Sequence, residues 1–240
     1  MTFFQIEHAV YDMFSTPWFG GIAITAAYAL VVYFFSNKIK HDDRALTQFE
    51  RVWGGLLIAL FLVKHVQLIA IGDWSMTENM ELHLCGMSRL LSILLLAFGV
   101  RWAFFPLFFW GIVGGFHSLL TPELTGGDST FMYIEYYIIH GGIIIIPLYF
   151  VFVRQRMIGQ WTWAKIIALN VAMMLPVYFI NRLIDANYMF LIDPPKVESI
   201  LIQGPWPYYL IGFVGAGLLH YLLLTGLFWK RIKSNDGMPS

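Results

Sequence analysis

The chain has 240 residues, of which 58% are hydrophobic and only 12% are charged, and its formal net charge is zero. Its mean hydropathy is +0.66. A soluble domain normally carries about 25% charged residues, so this composition excludes a water-soluble globular protein. The length leaves room for roughly six to eight membrane spans of ~20 residues, and we predict one membrane domain over residues 1–240.

Seven apolar stretches are long enough to cross ~30 Å of hydrocarbon as helices. A helix satisfies its backbone hydrogen bonds internally, as a lipid environment requires, and the alternating pattern of barrel strands is absent. The sequence therefore predicts an all-α bundle of seven transmembrane helices. In chain order the predicted spans are about 19–35, 52–71, 83–98, 102–120, 131–153, 163–184 and 208–229.

Basic residues fall almost entirely on one side of the membrane if the spans alternate in direction. The loops and the tail on that side hold eleven Lys and Arg residues, whereas the opposite loops hold only Lys196. Because cytoplasmic loops carry the excess of positive charge, we predict an N-terminus outside and a C-terminus in the cytoplasm. The eleven residues are Lys38, Lys40, Arg44, Arg51, Arg101, Arg154, Arg156, Lys165, Lys230, Arg231 and Lys233.

The longest predicted outer loop, residues 185–207, carries strong helix-breaking signals. It contains Asp193-Pro194-Pro195 and Gly204-Pro205-Trp206-Pro207, which are incompatible with regular helix. The aromatic residues at 206–209 suit the headgroup region. We predict a cap over the outer mouth of the bundle; an interfacial anchor without a role in chemistry is the alternative.

Ionisable and thiol side chains within the spans are the main functional signal, since a charge in a bilayer is costly unless it faces a partner or a cavity. Counted along the helices, five of them fall in the outer third of the membrane, namely His65, Cys85, His117, Glu135 and Arg182. His140 and His220 reach roughly 14–18 Å deep. This asymmetry predicts a polar cavity that opens to the outer leaflet. The residues are Lys64, His65, His83, Cys85, Arg89, His117, Glu135, His140, Arg182 and His220.

The only cysteine, Cys85, lies on a polar stripe of the third span. Glu81, Cys85 and Arg89 are spaced four residues apart, which places them on one helix face, and His83 points elsewhere. A helix N-terminus and a nearby cation both favour the thiolate form. Cys85 is therefore a candidate nucleophile, with a small apolar packing residue as the alternative.

Histidine 140 shares a face of the fifth span with Tyr136 and Tyr137, and Glu135 lies off that face. A histidine in a span is often a hydrogen-bonded packing residue. Because five histidines fall in one half of the bundle, we do not expect all five to be packing residues. His117 and His220 suit a structural role.

Three cations, Lys64, Arg89 and Arg182, face one embedded acid, Glu135. An excess of positive charge in a buried cavity predicts an anionic ligand, which in a membrane is a lipid phosphate. The alternative is that acids at the rim of the membrane neutralise all three cations.

Several motifs of the chain resemble a known family from about the second span to the end. Together they resemble the YwaF-like bacterial integral membrane proteins, which are similar to the animal transmembrane protein 164 group. The animal proteins are cysteine acyltransferases that move fatty acyl chains between phospholipids with a Cys and a His on separate spans. The resemblance implies that Cys85 and His140 are the matching pair. The motifs are His83-Leu84-Cys85, Tyr-Tyr-Ile-Ile-His-Gly-Gly at 136–142, Asn187-Tyr188-Met189 followed by Asp193-Pro194-Pro195, and Gly204-Pro205-Trp206-Pro207.

The favoured hypothesis is an intramembrane lipid acyltransferase, a multi-pass protein of the bacterial cell membrane. Cys85 would carry the acyl group as a thioester, and His140 would act as general base and then as general acid. A membrane phospholipid would be the donor and a lysolipid or another molecule the acceptor, with no cofactor, metal or nucleic acid. The candidate substrate-binding residues are Arg89, Arg182 and Lys64 for the phosphate, Glu135 and Asn181 for orienting the histidine or polarising the carbonyl, and His83.

Two alternatives use the same residues. A lipid transporter or flippase would bind its cargo without chemistry, and its signature is inverted repeats with broken helices. Pro106, Pro147 and Pro176 offer breaks, but seven spans give no clean repeat. A metal-dependent membrane hydrolase would need about three or four converging ligands, and no HxxxH or HExxH spacing is present.

Overall fold

The computed structural model describes residues 9–124, 127, 129–194 and 204–233. Within these ranges the protein is built from helices, which confirms the all-α prediction. Two residues used above, Pro195 and Lys196, lie outside the described part of the chain. The helices are α1 (Thr16–Ile39), α2 (Asp43–Ala70), α3 (Leu84–Phe98), α4 (Phe104–Leu120), α5 (Thr130–Phe152), α6 (Thr162–Ile184) and α7 (Tyr208–Leu227).

Six of these helices are long and apolar enough to cross a membrane, counting α4 with the short turn before it as Arg101–Leu120. The exception in the described chain is α3, whose 15 residues extend only about 22 Å as a helix. It ends at Gly99, where φ is 69° and the backbone is left-handed. The protein is therefore a multi-pass membrane protein, whereas a complete crossing by α3 and the orientation of the termini stay predictions.

Helices α3, α4 and α5 form the centre of the bundle. Glycines on α4 face the backbone of α5: a Cβ at Gly111 would lie 2.3 Å from Ile143 O, and a Cβ at Gly115 would lie 2.7 Å from His140 O. Small residues of this kind let membrane helices approach closely. Helices α6 and α7 lie at the periphery, and only 11% of the apolar membrane-spanning stretch of each helix is buried inside the bundle.

Two short strand pairs tie the chain segments outside the helices to each other. β1 (Ala9–Val10) pairs antiparallel with β2 (Glu123–Leu124), and β3 (Ile158–Gly159) pairs parallel with β4 (Ile232–Lys233). The segment before α1 is thus held against the α4–α5 connection, and the segment after α7 against the α5–α6 connection.

A polar cluster joins the start of α2 to the end of α5. The Glu50 carboxylate accepts hydrogen bonds from Arg154 at 2.5 and 3.0 Å and from the Tyr149 hydroxyl at 2.7 Å. Arg154 also donates to Asp43 Oδ1 at 3.1 Å and to Thr47 Oγ1 at 3.0 Å, and its hydrogen bonds to Glu50 raise the pKa of the guanidinium. We call these five residues the Glu50 cluster and this side of the bundle the Glu50 end.

The described part of the predicted cap loop packs on the α2–α3 connection. The Asn181 side chain accepts from Tyr188 N at 2.9 Å and donates to Tyr188 O at 2.8 Å. The Tyr188 hydroxyl donates to Met76 O at 2.7 Å and accepts from Met80 N at 2.9 Å. Tyr188 is fully buried, and burial raises the pKa of its hydroxyl. Through Tyr188, the Asn-Tyr-Met motif therefore fixes the loop after α6 to the segment just before α3. We call Tyr188 and its partners Asn181, Met76 and Met80 the plug.

The prolines within the predicted spans do not interrupt the helices. α4, α5 and α6 continue through Pro106, Pro147 and Pro176 respectively. The breaks that the transporter hypothesis would use are not present in these three helices.

Candidate active site at the Cys85 end

Cys85 lies in the first turn of α3 and faces α4. Its Sγ is 3.6 Å from the hydroxyl oxygen of Ser118. A Cβ at Gly114 would lie 2.9 Å from the sulfur, so the missing side chain on α4 provides the space for the thiol. The thiol is free and partly buried. We call this side of the bundle the Cys85 end.

Tyr136 of α5 connects the thiol region to the end of α4. Its hydroxyl donates to Ser118 O at 2.8 Å and accepts from Glu123 N at 3.3 Å. Tyr136 is 9% exposed, so these hydrogen bonds satisfy the hydroxyl in a buried setting. Ser118 therefore contacts Cys85 through its side chain and Tyr136 through its carbonyl.

His140 follows Tyr136 by one helical turn. Its Nδ1 is 2.9 Å from Tyr136 O, and the ring centroids of the two residues are 4.1 Å apart. A carbonyl oxygen only accepts hydrogen bonds, so the proton of the neutral imidazole lies on Nδ1 and the lone pair on Nε2. No described residue hydrogen-bonds to Nε2, which leaves this nitrogen free to accept a proton.

The thiol and the imidazole belong to one side-chain cluster but do not touch. In the described chain the hydrogen-bond partner of Cys85 is Ser118, and Tyr136 lies between that serine and the His140 ring. The predicted pair is therefore linked through residues of α4 and α5. Catalytic hydrogen bonds are often long before substrate binds, so this arrangement is compatible with proton transfer through a hydroxyl or a water.

Four charged side chains lie beside the thiol and form a buried network. Arg89 NH1 is 3.0 Å from Glu81 Oε1, and Arg89 NH2 is 2.8 Å from Glu135 Oε1. Lys64 Nζ lies 3.9 Å from Glu81 Oε1. We call Lys64, Glu81, Arg89 and Glu135 the Arg89 cluster. Arg89 is 4% exposed, so its charge is shielded from solvent by carboxylates.

The Arg89 cluster is neutral, which corrects the predicted excess of positive charge. Glu81 has a positive φ of 57° and turns its carboxylate into the bundle instead of staying at the rim. Two cations then face two carboxylates, and neither Lys64 nor Arg89 needs an anionic ligand for charge balance. The structure supports the alternative in which nearby acids neutralise these cations.

Three other predicted binding residues lie away from the thiol or already have partners. Arg182 is exposed on α6. Asn181 is 1% exposed, and its amide is engaged by the Tyr188 backbone. His83 caps the start of α3 and packs its ring on Tyr188 and Phe190, with centroid distances of 5.2 and 5.1 Å. Asn181 and His83 therefore contact Tyr188 of the plug and do not belong to the cluster around the thiol.

The remaining histidines of the spans are separate from His140. His65 bridges Phe61 O and Asn79 O, which is a structural role. His117 and His220 face each other across α4 and α7, with an Nε2–Nε2 distance of 3.2 Å. Within the described residues no group of three or more His, Cys, Asp or Glu side chains could hold a metal ion, so the histidines do not converge as the metal-hydrolase hypothesis requires.

Sequence reasoning missed Ser118, the residue that contacts the thiol. A serine near the end of an apolar span carries no distinctive signal. Its relation to Gly114, four residues earlier on the same helix face, indicates only a small-residue face. The contact depends on the approach of α3 to α4, which the pattern of a single helix does not contain.

Comparison with known proteins places the chain in a family. A family model described as the TMEM164 family matches residues 3–225, which is most of the 240 residues. No curated protein matches the sequence, and no solved structure does. The family match agrees with the resemblance found in the His-Leu-Cys, Asn-Tyr-Met and Gly-Pro-Trp-Pro motifs. The chain belongs to the TMEM164 family.

Proposed function

We propose that this protein is an intramembrane lipid acyltransferase of the bacterial cell membrane, with Cys85 as nucleophile and His140 as general base and acid. The observation that carries the proposal is the cluster Cys85–Ser118–Tyr136–His140, in which a free thiol and an imidazole with an unused Nε2 lone pair occupy neighbouring helices. A nucleophile and a base on adjacent helices, bridged by a hydroxyl-bearing side chain, are the arrangement from which covalent catalysis can proceed once substrate draws them together.

In the first step the Cys85 sulfur attacks the acyl carbonyl carbon of a membrane phospholipid. The thiol proton passes to His140 Nε2 through the Ser118 hydroxyl or a water as the sulfur–carbon bond forms. The ester carbon–oxygen bond then breaks, and the departing lysophospholipid oxygen takes the proton from His140. The acyl chain stays on Cys85 as a thioester.

In the second step the acceptor, a lysolipid or another hydroxyl-bearing molecule, reverses the sequence. Its hydroxyl gives a proton to His140 Nε2, and its oxygen attacks the thioester carbonyl. The carbon–sulfur bond breaks, and the sulfur recovers a proton from the imidazole. Atoms and charges balance without any cofactor.

The backbone contact of His140 supports this assignment. Because Nδ1–H donates to Tyr136 O at 2.9 Å, the ring is held in the tautomer that leaves Nε2 basic, as an orienting partner does in catalytic histidine sites. Nothing comparable holds for His65, where both ring nitrogens have backbone partners.

Among the predicted phosphate-binding residues we retain Lys64 for this role. Arg89 is held by two carboxylates, and Arg182 is on the exposed side of α6. The Lys64 ammonium has one long contact, 3.9 Å to Glu81, and its side chain is 13% exposed, so a phosphate oxygen can approach it. Glu135 acts through Arg89, by fixing the side chain that packs one helical turn from Cys85 on α3.

The proposal is tested by acyl transfer in liposomes that contain a phospholipid with a labelled acyl chain and an unlabelled lysophospholipid. Wild-type protein is expected to move the label to the lysolipid, and Cys85→Ala is expected to abolish the transfer. Ser36→Ala, in a buried position of α1, is the matched control and should keep wild-type activity. Full transfer by Cys85→Ala with intact folding would overturn the proposal, and a lipid carrier would show no labelled product in any variant.

A further inference from the structure

A second set of functional groups lies between α4 and α7, apart from the cluster around Cys85. His117 is in the last turn of α4 and His220 is past the middle of α7, and their Nε2 atoms are 3.2 Å apart. The ring planes are inclined by 71°, with centroids 4.9 Å apart. The two Nε2 atoms therefore face each other at close range, and the rings are not stacked.

The hydrogen bonds of His220 fix which of its nitrogens carries the lone pair. Nδ1 lies 2.6 Å from Ala216 O, and since a carbonyl only accepts, Nδ1 is protonated and Nε2 holds the lone pair. A histidine that binds a metal almost always donates its other ring N–H to a carbonyl or a carboxylate in this way. His220 thus has the orientation of a metal ligand without any adjustment.

The separation of the two nitrogens matches that of two ligands on one metal ion. Zinc–nitrogen bonds of ~2.0–2.1 Å in a tetrahedral site place two ligand nitrogens about 3.3 Å apart, close to the observed 3.2 Å. His117 reaches the same state by moving its proton from Nε2 to Nδ1. No net proton is released, and a cation replaces the N–H···N hydrogen bond.

The exposure of the two histidines and the type of their ligand atoms indicate which cation can bind. His117 is exposed and lies in the last turn of α4, and His220 is partly buried, so a hydrated ion can reach the pair from the end of the bundle and keep water in its other positions. Imidazole ligands suit borderline divalent ions such as Zn²⁺ and Cu²⁺, whereas Mg²⁺ and Ca²⁺ prefer oxygen. Since the described chain offers no third His, Cys, Asp or Glu ligand here, the site is open on one side.

We propose that His117 and His220 form a two-histidine site for a borderline divalent cation, which links α7 to α4. This goes beyond the predicted absence of a metal and is independent of the acyl-transfer proposal, because neither Cys85 nor His140 takes part. The cation joins a peripheral helix to the centre of the bundle.

The test is calorimetric titration of Zn²⁺ into the full-length protein in detergent, purified through an affinity tag that contains no histidine. Wild-type protein is expected to bind one Zn²⁺ per chain in a saturable manner. His117→Gln and His220→Gln are each expected to lower the affinity by at least about tenfold, the range seen when metal sites lose supporting groups. His41→Gln, at an exposed loop position, is the matched control and should bind like wild type.

Saturable binding that is unchanged in both Gln variants, or no saturable binding by wild type, would overturn the proposal. Pulsed electron paramagnetic resonance of the wild-type protein with Cu²⁺ gives an answer that does not depend on how the variants fold. Signals from two coordinated imidazoles are the expected result, and signals from one or none would contradict it.

Discussion

The two polar clusters in the bundle differ in how completely their groups are satisfied. In the Glu50 cluster, the Arg154 Nε, NH1 and NH2 nitrogens all donate to oxygen, and both Glu50 carboxylate oxygens accept. In the Arg89 cluster, NH1 and NH2 of Arg89 lie 3.0 and 2.8 Å from the Glu81 and Glu135 carboxylates, but the buried Nε has no hydrogen-bond partner among the described residues. The first cluster is an anchor, whereas the second has unused hydrogen-bonding capacity next to a thiol.

Charge inside a membrane bundle is therefore not by itself a sign of function. The Glu50 cluster holds α2 to α5 with a fully engaged guanidinium and lacks a nucleophile. The Arg89 cluster is neutral as well, but it lies beside Cys85 and leaves the buried Arg89 Nε unpaired among the described residues, as functional sites often do. Substitutions at the Cys85 end are expected to lower activity, whereas substitutions at the Glu50 end are expected to lower stability alone.

The largest expected effect is that of His140→Gln on acyl transfer. Glutamine fills a similar volume but does not take up a proton, so the rate should fall by about 10²–10⁴, the usual contribution of general acid–base catalysis. The rate is measured with saturating labelled phospholipid in liposomes. His41→Gln should be unaffected; an equal loss in both variants would refute a specific role for His140.

The next largest effect is expected at the Glu50 end, on stability alone. Arg154→Met leaves the buried Glu50 carboxylate without its partner, which should cost roughly 3–5 kcal/mol of folding free energy. The melting temperature in detergent should fall, while the transfer rate per folded molecule stays at the wild-type level. Arg44→Met removes an exposed arginine of the same helix region and should melt like wild type. Loss of transfer in folded Arg154→Met would contradict the division between the two ends.

Gly114→Ala tests the position of the thiol. The new methyl group would lie 2.9 Å from Cys85 Sγ, so the sulfur must move, and a misplaced nucleophile should lower the transfer rate by roughly tenfold. Gly55→Ala on α2 meets no atom within 4 Å and serves as the control for the change in helix propensity. Equal activity of the two variants would show that the thiol does not react from this position.

The smallest expected effect is that of Tyr136→Phe. It removes the hydroxyl that donates to Ser118 O and accepts from Glu123 N, which should lower stability by about 1 kcal/mol. The melting temperature measures this change, and the KM for phospholipid should stay constant while kcat falls a few-fold through the displaced serine. If stability and kcat both remain at wild-type values, the hydroxyl does not position Ser118.

Much of the fold could be predicted from hydropathy, because each predicted apolar span corresponds to a helix, although α2 begins nine residues before the predicted start of the second span. The third predicted span, 83–98, matches α3 (Leu84–Phe98) to within one residue, and its short length was already present in the sequence, where Gly99 ends the apolar stretch. The single cysteine, the fifth-span histidine and the family motifs were readable in the sequence. That Cys85 and His140 belong to one cluster could not be predicted, because it depends on how α3, α4 and α5 pack together.

What the sequence did not contain was the height of one helix relative to another. His117, near the end of its span, and His220, deep in its own, were placed at different depths, yet their Nε2 atoms are 3.2 Å apart. Glu50 was overlooked because the second span was predicted to begin after it. Glu81 was placed at the rim because its left-handed backbone, with φ of 57°, has no sequence signal at a glutamate.

The most direct test of the central claim is detection of an acyl group on Cys85. Wild-type protein is incubated with a phospholipid that carries a labelled acyl chain, without acceptor, then quenched in acid and digested for mass spectrometry. Because Cys85 is the only cysteine, a label released by neutral hydroxylamine marks one position. We predict the acyl mass on the Cys85 peptide, with His140→Gln reaching that level far more slowly. An unmodified Cys85 peptide in a preparation that transfers acyl chains would contradict the account.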